Sequence, residues 1–201
     1  MTKAIARAVA IAAAIAATAA VAPVQAQDSG NWIVRARALH LDPANKDNIP
    51  GAELSVNSKT FPEVDISYFF TPNLAAELIL TYPQKHNVEL NGGKIGTISH
   101  LPPTLSLQYH FTGMGWRPYV GLGVNYTYLT RIKLDDPFDV QRDSFGLAIG
   151  AGVDVPLGGG WLFNVDVKKV KIDTDVSAGV TKIGTFKIDP LLIGVGIGKR
   201  F

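Results

Sequence analysis

The chain closes on Leu191-Leu192-Ile193-Gly194-Val195-Gly196-Ile197-Gly198-Lys199-Arg200-Phe201. From 191 to 197 every second residue is large and apolar, and from 194 to 198 the residues between are glycine. A period of two is the signature of a strand with two unlike faces. A soluble strand would put lysine and glutamate opposite its core face. Glycine there suits the crowded inside of a narrow barrel. The apolar row must then look outward, and the solvent it expects is lipid.

The same pattern recurs upstream. Eight strands are expected, at about 31–41, 60–70, 74–82, 98–111, 117–130, 144–155, 161–172 and 186–201. Val120, Leu122, Val124, Tyr126 and Tyr128 alternate with Gly121 and Gly123, and Phe145, Leu147 and Ile149 with Gly146, Ala148 and Gly150. Tight turns fall at 71–73, 112–115 and 156–160. Long polar segments fall at 42–59, 83–97, 131–143 and 173–185. Short turns on one side and long loops on the other describe an all-β, eight-stranded antiparallel transmembrane barrel of the bacterial outer membrane, with both termini in the periplasm. Phe70, Phe111, Trp116, Trp161 and Phe201 map to the periplasmic rim and Tyr82, Tyr126 and Tyr128 to the opposite one, as aromatic girdles do. The soluble alternative is an eight-stranded lipocalin-like barrel with its apolar face inward, which the glycine rows disfavour.

Residues 1–26 read as a cleaved signal peptide: Lys3 and Arg7, then the uncharged, alanine-rich stretch 8–24, then Val24-Gln25-Ala26. Residues 27–201 form the barrel domain. Its 17 basic residues balance 17 acidic ones, so bulk charge gives no reason to expect nucleic acid as a partner. There is no cysteine.

Several runs resemble the outer-membrane protein W family, which includes a member linked to alkane uptake. They are Trp32-Ile33-Val34-Arg35-Ala36-Arg37, His100-Leu101-Pro102-Pro103-Thr104-Leu105, Arg117-Pro118-Tyr119-Val120-Gly121-Leu122-Gly123-Val124-Asn125-Tyr126-Thr127, Lys171-Ile172-Asp173-Thr174 and Ile188-Asp189-Pro190. The likeness covers essentially the whole mature chain. It implies an eight-stranded barrel that passes small hydrophobic molecules inward. It also implies that the terminal Phe201 is read by the barrel-assembly machinery. Lys199 departs from the aromatic expected near that terminus.

Strand parity assigns the inward residues. Arg35, Arg37, Asp65, Glu77, Asp154, Asp166, Lys168 and Arg200 place charges of both signs in a lumen barely wide enough for side chains, which implies a plug. Nearer the outer rim the inward phase turns apolar at Leu39, Leu41, Val170, Ile172, Phe186, Ile188 and Leu192. These residues are expected to form one hydrophobic pocket, or merely to fill space beneath the loops. A plugged barrel leaves a bound molecule a sideways exit. Prolines remove ladder donors, so Pro102, Pro103 and Pro190 are candidate breaks in the wall, whereas Pro62 and Pro83 read as strand ends. The expected function is passive uptake of small hydrophobic solutes with lateral release into the membrane. The rival is a structural or adhesive barrel acting through its loops. Outer-membrane lipid and lipopolysaccharide are expected partners; Lys169, Lys171 and Lys187, in the outward phase near the outer interface, either pair with its phosphates or are simply solvated. Ser99 beside His100 is the only hint of an enzyme, and neighbouring strand residues face opposite ways. No cofactor or metal spacing is recognisable.

Overall fold

In the computed structural model, residues 30–201 are described. The expected signal peptide lies outside them. The strands are, in chain order, β1 Trp32–Asp42, β2 Lys46–Asp47, β3 Leu54–Val56, β4 Lys59–Phe69, β5 Leu74–Leu80, β6 Gln84–Leu90, β7 Gly93–Leu101, β8 Thr104–His110, β9 Arg117–Leu129, β10 Lys133–Leu134, β11 Phe138–Val140, β12 Asp143–Gly158, β13 Trp161–Val170, β14 Asp173–Ala178, β15 Thr181–Lys187 and β16 Leu191–Arg200. Eight of them, β1, β4, β5, β8, β9, β12, β13 and β16, pair antiparallel in a closed ring. The ring closes where β16 meets β1, in register from Ile33 opposite Arg200 to Asp42 opposite Leu191. Phe201 N donates to Trp32 O at 2.9 Å, and Trp32 N donates to Phe201 O at 3.2 Å. No edge is left in the ring, and lipid tolerates none.

The faces sort as the alternation demands. Leu122, Phe145, Leu147 and Ile149 are exposed outward, as are Leu105, Leu107, Val195 and Ile197. Ala148 is buried inside, and the glycines beside it leave room for neighbouring side chains. Gly152 shows why: a Cβ there would meet the Tyr119 ring at 2.4 Å. Both aromatic girdles are exposed at the expected heights. Lys199 is part of the periplasmic rim. Its Nζ lies 5.1 Å from the Trp161 ring centre and donates to Gly159 O at 2.5 Å.

Two expected strands are broken. The stretch 98–111 divides into β7 and β8 at Pro102-Pro103, and 186–201 divides into β15 and β16 around Asp189, which has φ 34°. Both proline sites end a ladder that would otherwise continue. The long segments, expected as polar loops, carry strands of their own. β7, β6 and β3 extend the wall outward from β9, and β10 flanks β7. β11, β14, β15 and β2 make a second, four-stranded sheet. Together these enclose the largest apolar core of the described residues, around Leu54, Val56, Val88, Ile98, Leu129, Val176 and Phe186. Most of that core stands above the barrel, and it reaches down into the barrel mouth at Ala148 and Val170.

Candidate functional site

The lumen is built in layers. At the periplasmic end, Arg200 Nε donates to Gly30 O at 2.8 Å and its guanidinium lies 4.5 Å from the Phe69 ring centre. An apolar layer of Ile33, Phe69, Ala75 and Leu162 follows. Above it sits the ionic network. Arg35 grips Asp154 with two bonds, of 3.0 and 2.6 Å, and donates to Asp65 at 2.8 Å and Ser67 Oγ at 2.9 Å. Arg37 pairs with Asp65, and with Glu77 at 3.1 Å. Its Nε is 2.9 Å from Glu63 Oε1, an ion contact without hydrogen-bond alignment. Lys168 pairs with Asp166 and lies 4.0 Å from Glu63. Tyr119 Oη donates to Asp166 at 2.8 Å, and Asn164 Nδ2 donates to Tyr119 Oη at 3.1 Å. Arg35, Asp65 and Glu77 are fully buried. A crossing water would have to displace partners that each buried ion needs.

Seven of the eight residues read as a plug from the sequence therefore meet in one network, and Arg200 lies below it. Glu63, Tyr119 and Asn164 were missed. Glu63 shares the parity of Asp65, but Pro62 beside it reads as a strand end. Pro62 in fact lies within β4, opposite Ala38.

Above the network an apolar column rises through three small cavities. The lowest, about 20 Å³, is lined by Leu39, Leu41, Phe61, Val170, Ile172 and Leu192, with Glu63 and Lys168 as its floor. A constriction of about 10 Å³ follows, bordered by Ile188, His86 and His100. The uppermost, about 90 Å³, lies within the outer core and includes Phe186, Val56 and Ile98. Leu41, Ile172 and His100 border the lower two, and Val56 and Ile98 the upper two. The residues expected in one pocket are thus spread along a column: five in the lowest cavity, Ile188 in the middle and Phe186 at the top.

The two histidines lie above the outer aromatic row, outside the membrane-spanning stretch. His86 Nδ1 lies 2.9 Å from Asn57 O, a carbonyl that can only accept, so Nδ1 carries the proton. Its bare Nε2 then accepts from His100 Nε2–H at 3.0 Å. Burial holds the pKa of His86 below the ordinary 6.5. Burial, then repulsion from His86 and Lys59, pulls that of His100 down to about 3.

The wall is interrupted beside the lowest cavity on both sides of the stretch Thr81 to Pro83. The β4–β5 ladder stops at Val64 opposite Leu80, although β4 continues upward to Lys59. Above that point β4 and the following stretch, Thr81 to Lys85, are joined by Thr81 Oγ1 to Pro62 O at 3.5 Å and Lys59 Nζ to Lys85 O at 3.3 Å. Pairing resumes where Asn87 N donates to Asn57 Oδ1 at 2.7 Å. Phe61, Thr81 and Pro102 line the cavity on this side. The candidate breaks at Pro102 and Pro103 are bridged on their β9 side, whereas toward β5 and β6 the pairing passes from Ile79 opposite Thr104 to Gln84 opposite His100 with no backbone pair between. Asn125 Nδ2 donates to Pro102 O and Pro103 O at 3.3 and 3.2 Å, and Tyr126 N to Pro103 O at 3.1 Å. At the other seam Val170 N donates to Pro190 O at 3.2 Å, and Ile172 N to the Asp189 side chain at 3.0 Å. Ser99 and His100 face opposite sides of β7, so they form no catalytic pair.

A closed eight-stranded ring with an apolar belt, two aromatic girdles and a filled polar lumen defines a transmembrane barrel of the outer membrane. The OmpW family model matches residues 28–201, and the chain belongs to that family. It is 41% identical over 182 residues to an uncharacterised outer-membrane protein, y4mB, of Sinorhizobium fredii, covering 85% of this chain and 80% of that one. It is 27% identical over 167 residues to the dibenzothiophene metabolism operon protein PahQ of Pseudomonas aeruginosa, covering 78% and 79%. The crystal structure of the outer membrane protein OprG from Pseudomonas aeruginosa superposes with a TM-score of 0.75 at 31% identity, covering 86% of this chain and 96% of that one. The protein resides in the outer membrane with both termini periplasmic.

Proposed function

We propose that this barrel is a passive uptake route for small hydrophobic solutes. A solute enters the apolar column from outside, stops on the Glu63–Lys168 floor and leaves sideways between β4 and Thr81–Lys85. The observation that carries this reading is the lowest cavity: apolar walls, an ionic floor and the wall's interrupted seam adjoin one another. An apolar molecule gains by leaving water for such a column, at roughly 25 cal/mol for each Å² it buries. It gains again on reaching the hydrocarbon, so no energy source is needed. The cavities are small, so side chains along the column must move aside as the solute passes. The name of the dibenzothiophene relative fits an aromatic cargo.

A structural or adhesive role is the second reading, favoured by how little open volume the two lower cavities hold. Uptake by cells with and without the protein separates the two, using an alkane-like and a sugar-like solute of equal size. Faster uptake of the apolar solute alone is expected. Equal rates with and without the protein for both would favour the structural reading, and faster sugar uptake would mean that the network is no plug.

A further inference from the structure

A second concavity lies on the opposite face of β7 from the histidine pair. It measures about 530 Å³ and is lined by Pro83, Lys85, Thr97, Ser99, Thr130, Arg131 and Lys133. The ladder explains how three cations come to surround it. Lys85 pairs with Ser99, and Ser99 N donates to Arg131 O at 3.2 Å. These three residues therefore form one row across three adjacent backbones. Thr97, two residues along β7 on the same face, pairs with Lys133. Neighbouring backbones in a sheet stand about 4.8 Å apart, so long side chains at both ends of such a row can converge on one group at its centre. Ser99 and Thr97 are the central, β7 members of these rows.

The electrostatics are one-sided. No carboxylate is among the lining residues, and none of the three cations makes an ion pair among the described residues. The cations on the other side of the barrel contrast with these. Lys169 Nζ donates to Asp189 O, and Lys171 lies 3.8 Å from Asp173. The height is also informative. Leu101 pairs with Tyr128 of the outer girdle, so the groove begins immediately above the level where hydrocarbon gives way to headgroups. It faces the membrane side of the wall.

We propose that this groove is a docking site for the phosphorylated sugar headgroup of an outer-leaflet glycolipid. Lys85, Arg131 and Lys133 hold the phosphate, and Ser99 and Thr97 donate to its oxygens or to a sugar hydroxyl. Pro83 and Lys85 belong both to the groove and to the interrupted seam, so the bound headgroup would flank that opening. The docking site does not depend on the solute reading, because it requires only the outer face of the sheet.

The test uses the full mature barrel refolded in lipid vesicles, extracted in mild detergent and weighed intact with its retained lipids. The probes are a bisphosphorylated hexa-acyl disaccharide lipid and the same lipid stripped of phosphate. The wild type should retain the phosphorylated form in preference. A Lys85→Gln/Arg131→Gln/Lys133→Gln variant should lose roughly a hundredfold in affinity for it, about fivefold per cation. A Lys169→Gln/Lys171→Gln/Lys187→Gln variant, with the same charge change elsewhere, should bind as the wild type does. Folding of each variant is checked by heat-dependent mobility on gels. Equal retention by all three proteins, or no preference for the phosphorylated lipid, would overturn the proposal. So would complete displacement of the lipid by millimolar inorganic phosphate, which would make the groove a small-anion site.

Discussion

The lower and upper parts of this barrel handle the same constraint in opposite ways. In the membrane section the lumen is largely polar and filled, and its buried ions are paired across the strands. In the outer section the interior is mostly apolar, its cavities are linked by shared residues, and its two sheets share no backbone ladder, meeting through apolar packing and a few bonds such as Leu54 N to Asp47 at 2.9 Å. The first arrangement is rigid because removing any ion strands its partners. Under the proposed uptake reading the second yields, because apolar side chains part without stranding a charge. A channel for apolar solutes needs both: a floor that water cannot cross, and a passage that yields.

The largest effect expected concerns the floor. Arg35→Leu leaves Asp65 and Asp154 without their shared partner and should cost about 3–5 kcal/mol of barrel stability. Urea unfolding of the barrel in vesicles measures it. A loss below about 1 kcal/mol would mean the network is not what fixes the lower section.

Acid should separate the two sections. The folded pKa of His100, at about 3, and that of His86 both lie below the 6.5 of an exposed imidazole. The unfolded chain therefore takes up protons first as pH falls, so the histidine pair supports the outer section fully above about pH 6.5 and progressively less toward pH 3. The loss is at most about 1.4 kcal/mol per pH unit for each imidazole held neutral. Lys59 is the charged neighbour that adds to it. Hydrogen exchange, corrected for intrinsic rates, should show β6 and β7 loosening more steeply below pH 6.5 than β12 and β13, because among the described residues two buried imidazoles lie in the outer section and only His110 in the membrane section. Uniform loosening would dissolve the distinction between the sections.

A smaller effect is expected at the bridged side of the Pro102-Pro103 seam. Asn125→Ala removes the side chain that caps Pro102 and Pro103 and should cost about 1–2 kcal/mol. It should also speed exchange of the Tyr126 amide. Unchanged exchange there would show that the seam is held by the backbone alone.

These contrasts also explain what the sequence could tell. The eight barrel strands were legible because each has lipid on one side and a crowded lumen on the other, so alternation survives along its length. The outer strands were not. Runs such as Leu54-Ser55-Val56 are too short for a period, and they become strands only by pairing with distant partners such as Val88–Leu90. The ionic residues were readable by parity, but Glu63 was hidden by Pro62. Proline marks where a backbone donor is missing. It does not say whether a neighbour supplies a replacement. At Pro102 and Pro103 the Asn125 side chain binds the two carbonyls on the β9 side, and beside Pro190 the Asp189 side chain accepts from Ile172 N. Across the Pro62 seam the described residues offer only side-chain bonds, from Thr81 Oγ1 and Lys59 Nζ.

The most direct test exploits the absence of cysteine in this chain. Pro62→Cys with Tyr82→Cys places two outward thiols across the interrupted seam, where a short bifunctional thiol reagent can join them. Uptake of an alkane-like solute into cells should fall at least about tenfold when the link forms and recover when a cleavable link is reduced. Uptake that is unchanged by a fully formed link would contradict the lateral route, and with it the division of this barrel into a sealed floor and a yielding passage.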